Sequence, residues 1–388
     1  MDNTSIRILG VMTGTSCDGL DAACISIDPD GWEPMWSATA PYPAALRKRV
    51  LDAQKPGTKL TSRDWLALER DLGEWYASAL STIIKKRPAD QRPDVIANHG
   101  QTVAHFPASK RQGMTWQLGD PTRIARATGL TVISGFRNGD MAAGGEGAPL
   151  APGFHLLLAS VLDPTKLGIA IHNIGGISNL TYVGPEVIAF DTGPGNCWMD
   201  AATELATKGK LKFDRGGKLA RQGTVDASAV DATMKNAFFK KAPPKSTGRD
   251  DFPFELFKSK TKAKGADLVA TATAVTAESI AHAYENFILK KRLPLKAIYI
   301  TGGGAKNPAL MDGLKNYLAP IQVSTLEDAG FDPQLVEAQA FAYFGFLSLL
   351  GQPLGGSWTG AQGFGPPGQI TPGENWVEVV AALSTYIG

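Results

Sequence analysis

Cysteine is scarce in this chain: Cys17, Cys24 and Cys197 are the three among 388 residues. An odd count with no CxxC pair excludes a disulfide framework and a thiolate zinc centre, and it suits a reducing cytoplasm. Long apolar runs are lacking as well. The greasiest stretch, Phe154 to Leu162, falls far short of the roughly 20 residues a membrane helix needs. The first residues lack the charged-then-apolar pattern of a secretion signal, so a cytoplasmic protein with no membrane partner is expected. Neither sign of charge is in excess: 39 basic residues meet 37 acidic ones, for a net charge of +2. With no basic stretch interleaved by aromatics, a nucleic-acid partner is not expected. Two nucleotide fingerprints are also absent. There is no GxxxxGKS/T, which excludes a P-loop enzyme, and no GxGxxG opening a helix, which sets aside a Rossmann dehydrogenase.

What the chain does have is glycine, 43 residues of it. Length alone suggests two domains. Strand patterns alternate with helical ones. Arg7–Met12 and Asp21–Ile27 read as a hairpin, Ser62–Lys86 as a helix by its 3.6-residue apolar spacing, and Asp94–Asn98 as a short strand. A helix over Pro121–Thr128, a strand over Thr131–Ser134 and a glycine-rich loop over 135–152 follow. Gly168–Asn173 and Val187–Phe190 read as strands, Asp200–Lys208 and Leu268–Ile288 as helices, and Lys296–Thr301 as a strand leading into a glycine turn and a helix. That alternation predicts an α/β protein. One echo recurs: an apolar strand ends in a glycine-rich polar turn at Gly14, at Gly175 and at Gly302. Such turns expose backbone N–H groups suited to phosphate oxygens. At "TGGGAKNPAL" the turn enters a helix, whose N-terminus favours an anion.

Asp191, in "VIAFDTGPGN", directly follows a strand. A carboxylate there faces the crevice where open α/β sheets bind ligands, and a general base belongs in such a place. The other reading is that it accepts hydrogen bonds from the amides of its own turn. Asp-Thr-Gly does not make an aspartic protease here, because Pro194 follows it and no second triplet exists. His99 and His105 are poorly spaced for a metal; His99 in "NHGQT" either meets a substrate hydroxyl or is structural. Lys245 and Arg249 read as a solvated loop. Glu337, in an otherwise apolar helix, needs a ligand or an arginine if it is buried.

Eight segments in order resemble the motifs of bacterial anhydro-N-acetylmuramic acid kinases: "GVMTGTSCDGLDAA", "NHGQTVAH", "FRNGDMAAGGEGAPLAP", "NIGGISNL", "FDTGPGN", "PPKSTGRDDF", "TGGGAKNP" and "EAQAFAYFG". The resemblance covers nearly the whole chain. It implies an actin/hexokinase-like (ribonuclease H-like) α/β fold of two domains flanking a deep cleft, one of residues 1–132 plus about 372–388 and the other of 133–371. It implies ATP and Mg²⁺ as cofactors. A first phosphate loop would be Gly14, Thr15, Ser16, Cys17, Asp18, Gly19, Leu20 and Asp21, and a second Gly175 and Gly176. Gly302, Gly303, Gly304 and Asn307 would lie near the nucleoside, and Asp18 would meet the metal through water. Asp191 matches the catalytic aspartate. His99, Gly100, Gln101, Thr102, Arg137, Asn179, Gly195 and Asn196 fall on the sugar side. The implied reaction opens a 1,6-anhydro sugar with water and phosphorylates O6, in peptidoglycan recycling, by a cytoplasmic homodimer. Two positions depart from the family pattern: Gly135 stands where an acid usually precedes Phe-Arg, and Glu146 where glutamine is usual. Both bear on the sugar, so the related levoglucosan kinases are the alternative. An actin-like ATP-binding sensor without turnover is the alternative of another class.

Overall fold

The computed structural model describes residues 5–14, 16–55, 57–106, 113–164, 168–332, 335–356, 358–362 and 367–386. Their strands, in chain order, are β1 (Ile6–Thr13), β2 (Gly19–Asp28), β3 (Gly31–Pro41), β4 (Val95–Phe106), β5 (Met114–Leu118), β6 (Thr131–Ser134), β7 (Ile169–Ile174), β8 (Ile177–Val183), β9 (Val187–Pro194), β10 (Ala297–Thr301), β11 (Gln322–Thr325) and β12 (Gln369–Thr371). The helices that matter for the site are α1 (Ala44–Ala53), α2 (Ser62–Lys85), α3 (Pro121–Thr128), α4 (Phe136–Ala142), α5 (Asn196–Ala206), α6 (Gly265–Tyr284), α7 (Pro308–Leu318) and α8 (Val336–Leu349). The chain divides into two compact units, unit 1 of Met1–Phe154 with Leu335–Gly388 and unit 2 of His155–Gln334.

Unit 1 is built on one sheet in the order β12-β6-β4-β1-β2-β3, with β5 paired to β4. β1, β2 and β3 are joined as antiparallel hairpins, whereas β4 and β6 run parallel to β1. Parallel neighbours require crossovers, and α1 to α3 supply them. Local signals start and stop these helices. Thr61 and Asp64 form a capping box, the Thr61 hydroxyl accepting from the Asp64 amide at 3.2 Å and the Asp64 carboxylate from the Thr61 amide at 3.0 Å. α3 starts behind Asp120 with Pro121 in its first turn and ends on Gly129 at φ 73°. β1 is covered on both faces, so its apolar pattern is nearly continuous. Leu9 and Val11 pack with Leu72 and Tyr76 of α2. Gly10 meets α8: a Cβ there would overlap the Ala338 carbonyl oxygen and the Ala342 amide nitrogen, so the helix lies on bare backbone.

Unit 2 follows the same scheme in the order β11-β10-β7-β8-β9. β7, β8 and β9 are antiparallel hairpins, and β10 and β11 run parallel to β7. Its core gathers Leu268, Val269, Val275 and Ile280 of α6 with Trp198, Phe239 and Phe257.

Several expectations are adjusted by packing. The domain break expected after residue 132 falls inside β6, which pairs with β4 and β12. Residues beyond β6 stay with unit 1 because Arg137 bonds His99 and Asp140 bonds Thr359. The return comes at Leu335 rather than near 372, because α8 packs on β1. The strand expected over Asp94–Asn98 continues to Phe106, and the loop expected over 135–152 contains α4.

Candidate active site

In unit 2 the ladder between β8 and β9 shifts register. Asn179 pairs with Asp191 and Ser178 with Gly193, which leaves Thr192 as an extra residue. Such a bulge bends the strand and re-aims the side chains beside it. One Asp191 carboxylate oxygen accepts from the Thr247 amide at 2.8 Å, and the Asp191 amide donates to the Lys245 carbonyl at 3.0 Å. Burial pushes the Asp191 carboxyl up to about 6, against the pull of the Thr247 amide and the Lys245 ammonium. It is therefore ionised at neutral pH yet close enough to neutrality to take a proton, as a general base must be.

Lys245 is not in a solvated loop. It is 5% exposed, donates from Nζ to the Phe238 carbonyl at 3.1 Å, and lies over the rings of Phe190, Phe238 and Phe287. Burial lowers its ammonium to about 8. This anchor ties the Lys245–Thr247 segment beside Asp191. Arg249 is exposed, but its guanidinium lies against Gly176, where a Cβ would overlap it.

The Gly175–Gly176 turn joins β7 to β8. Its carbonyls accept from the amides of Asn196, Gly195 and Cys197 at 2.7, 2.9 and 3.2 Å. Gly195 fits this approach only without a side chain, since a Cβ would overlap the Gly175 carbonyl oxygen. The Asn196 side chain donates to the Ile174 carbonyl at 3.0 Å. Gly302, at φ 81°, and Gly304 lie as tightly against Asn173 and Ile174. Asn307 caps α7, its side-chain oxygen accepting from the amides of Ala309 and Leu310.

A cavity of about 500 Å³ opens here, lined by Asn196, Gly303 and Asn307 together with Met199, Asp200, Phe213, Asp214, Arg215, Gly216 and Lys306. Its size is right for a nucleoside. Sequence reasoning missed the last seven. Asp200 was within reach, because it lies four residues after Asn196 on the same face of α5. Burial pushes its carboxyl up to about 6, with Arg249 pulling the other way. Phe213 is half exposed, with the Arg215 guanidinium 5.8 Å from its ring centre.

In unit 1 the first loop is held by side chains. The Arg47 guanidinium donates to the carbonyls of Cys17 at 2.9 Å and Ser16 at 3.1 Å, and to the Asp18 carboxylate at 3.4 Å. The Gln101 amide donates to the Gly14 carbonyl at 3.2 Å and its oxygen accepts from Tyr42. Gln101 is thus a buried tie for the loop. Cys17 and Leu20 are buried in the core, so only their backbone is available to a ligand, whereas Asp18 is 78% exposed at its side chain. Gly19 opens β2 against the Ala40 carbonyl, and Asp21 is half-buried. Thr15 lies outside the described residues.

His99 accepts from Arg137 Nε through Nε2 at 2.9 Å, so its proton sits on Nδ1, and burial holds the ring well below the usual imidazole range. That Nδ1 is buried beside the Gly100 backbone without a well-formed hydrogen bond. Arg137 also donates to the Gly147 carbonyl at 2.8 Å and offsets the charge of Glu337. Burial raises the Glu337 carboxyl, and Asp21 adds to the rise. Gly100 sits at φ 76° against Leu118, and the Thr102 carbonyl accepts from Gln54. Among the described residues no group of three metal-ligating side chains occurs.

Residues 6–373 match the family described as anhydro-N-acetylmuramic acid kinase. An anhydro-N-acetylmuramic acid kinase from Gloeobacter violaceus is 40% identical, over 89% of this chain and 93% of that protein. One from Acidithiobacillus ferrooxidans is 39% identical, over 98% and 95%. Among solved structures, a ROK family glucokinase from Streptomyces griseus in complex with glucose and AMPPNP is similar at 10% identity and a TM-score of 0.36, over 87% of this chain and 98% of that one.

Proposed function

Because this chain belongs to the anhydro-N-acetylmuramic acid kinase family, we propose that it opens the anhydro ring of 1,6-anhydro-N-acetylmuramic acid with water and phosphorylates O6 from ATP. The products are N-acetylmuramic acid 6-phosphate and ADP, a step of peptidoglycan recycling. The observation that carries this reading is the state of Asp191: a carboxylate aimed by a bulge, bonded to one amide, and raised by burial to about 6.

Asp191 takes a proton from the water that attacks C1. The C1–O6 bond breaks as the new C1–O bond forms, with inversion. The electron pair left on O6 forms the bond to the γ-phosphorus, and the bond from that phosphorus to the β-phosphate oxygen breaks to release ADP. Because phosphorus captures O6, no strong general acid is needed there. Gly175, Gly176 and Gly302–Gly304 give phosphates access to backbone amides, and the cavity lined by Gly303 and Asn307 takes the nucleoside. Mg²⁺, when bound, neutralises charge on the transferring group. Asp18 suits a water-mediated contact, being an exposed loop carboxylate and Mg²⁺ being an ion that keeps several waters. His99, with its underused Nδ1 proton, and Arg137 are assigned to the sugar. Cytoplasmic location and a homodimer belong to the same proposal. The first is supported by three cysteines of which none forms a disulfide and by the lack, among the described residues, of a helix long and apolar enough to cross a membrane. The second is supported by family membership.

Turnover in ¹⁸O-labelled water tests the chemistry. Label is expected on C1 of the sugar, in the anomer inverted at that carbon and read before mutarotation. Label in phosphate would mean that water had struck the γ-phosphorus and that the protein is an ATPase. Turnover on levoglucosan alone would move the substrate to the other anhydro sugar.

A further inference from the structure

Behind Asp191 runs a buried polar chain that the reaction does not use. The hydroxyl of Thr192, the extra residue of the bulge, lies 2.9 Å from the Ser178 hydroxyl and 3.2 Å from the Ser178 carbonyl. Ser178 Oγ lies 2.6 Å from Nε2 of His172 on β7. His172 Nδ1 lies 3.0 Å from the hydroxyl of Tyr284, the last residue of α6. All four residues are at most 1% exposed. Groups so buried are costly unless each finds a partner.

The Thr192 hydroxyl donates to the Ser178 hydroxyl and carbonyl oxygens. Beyond Ser178 the imidazole sets the direction, Tyr284 donating to Nδ1 and Nε2 to Ser178. The reverse direction leaves the Tyr284 proton without an acceptor among the described residues. Burial lowers His172 to about 3, so the ring is a neutral link. Position matters as much as satisfaction. Side chains alternate faces along a strand, and a slip of one residue reverses them. The bulge at Thr192 is therefore what sets the faces of Asp191 and Gly193, and the hydroxyl of Thr192 is what pins the bulge.

We propose that His172, Ser178 and Tyr284 are positioning residues for Asp191, acting through Thr192 to hold the bulge that aims its carboxylate. The proposal rests on the reading of Asp191 as the base. Thr192→Val keeps the branched shape and removes the hydroxyl, Thr192→Ser restores the hydroxyl, and Tyr284→Phe removes the terminal donor. In Thr192→Val, kcat is expected to fall about 10- to 10²-fold, the scale of an ångström-sized misplacement. KM for ATP should hold while the acid limb of the kcat–pH profile moves. Thr192→Ser should recover most of the loss, and Tyr284→Phe should show a smaller loss in the same direction. Nitrogen-15 spectra of the wild type should show His172 neutral with its proton on Nε2. Wild-type kcat and an unmoved limb in folded Thr192→Val overturn the proposal, as does a loss that serine fails to recover. If Thr192→Val does not fold, Tyr284→Phe carries the test, and an unmoved kcat and limb overturn the proposal there. Asp191→Asn separates the two readings. Near-normal turnover in that variant removes the base itself, whereas a dead Asp191→Asn beside a normal Thr192→Val removes only the positioning chain.

Discussion

The two units share a strand order and differ in how they hold the turn after their first strand. In unit 1 the connection from β1 to β2 is gripped by side chains, chiefly Arg47 and Gln101. In unit 2 the connection from β7 to β8 is gripped by the backbone amides of Gly195, Asn196 and Cys197. The third strands differ in the same sense. β3 is a largely exposed edge, whereas β9 is mostly buried and carries Asp191 at a bulge. A common topology decides where the turns fall, and local residues decide how firmly each is held. The firmly held unit is the one that carries Asp191.

The largest effect is expected where that firmness serves chemistry. Asp191→Asn should lower the rate by about 10²- to 10⁴-fold, the usual worth of a positioned base. The wild-type rate should fall as pH drops through about 6, as Asp191 binds its proton, and the variant should lack that limb. The raised carboxyl also has a stability sign. Its charged form is disfavoured in the folded state, so it costs stability above about pH 6 and nothing below the ordinary carboxylate range. Asp191→Asn should therefore melt no lower than wild type at pH 8. Steady-state kinetics across pH with thermal melts check both. A variant that melts lower at pH 8 while keeping its rate would reverse the assignment.

A smaller effect tests the backbone grip itself. A Cβ at Gly195 overlaps the Gly175 carbonyl, whereas at Gly14 the nearest atom found is Ser16 Oγ, 3.6 Å away. Gly195→Ala should cost about 2–4 kcal/mol and Gly14→Ala under about 1 kcal/mol. Urea denaturation reads both, and equal costs would erase the contrast between the units. The smallest effect belongs to the side-chain grip. Arg47 and Asp18 are both well exposed, so Arg47→Ala should change stability by less than about 1 kcal/mol. A less ordered loop should weaken ATP binding about 3- to 10-fold. Calorimetric titration measures this, and an unchanged Kd would mean that the loop is held without Arg47.

The α/β class and the turns at Gly14, Gly175 and Gly302 were legible because apolar strands and glycine each leave a local mark. β3 was not, since "GWEPMWSATAP" has an edge strand's polarity and a proline that reads as loop. Motif resemblance assigns whole segments, but alternate residues of a strand face opposite ways. Leu20 therefore joins the core while its neighbour Asp21 does not, and the Gln101 amide bonds the first loop at the Gly14 carbonyl. Lys245 was misread because its burial comes from Phe190, Phe238 and Phe287, residues well separated in the chain. The break at 154 and 335 depends on α8 lying on β1, which no local pattern records.

That last contact has a consequence in time. Gly10 is made long before Ala338 and Ala342, which cover it. At translation speeds of about 5–20 residues per second the gap is on the order of tens of seconds. Throughout it, one face of the first sheet lacks its helix, and by its end every residue of unit 2 has been made. The nascent chain thus carries an open apolar surface until α8 is made, and a chain that stalls before α8 carries it permanently.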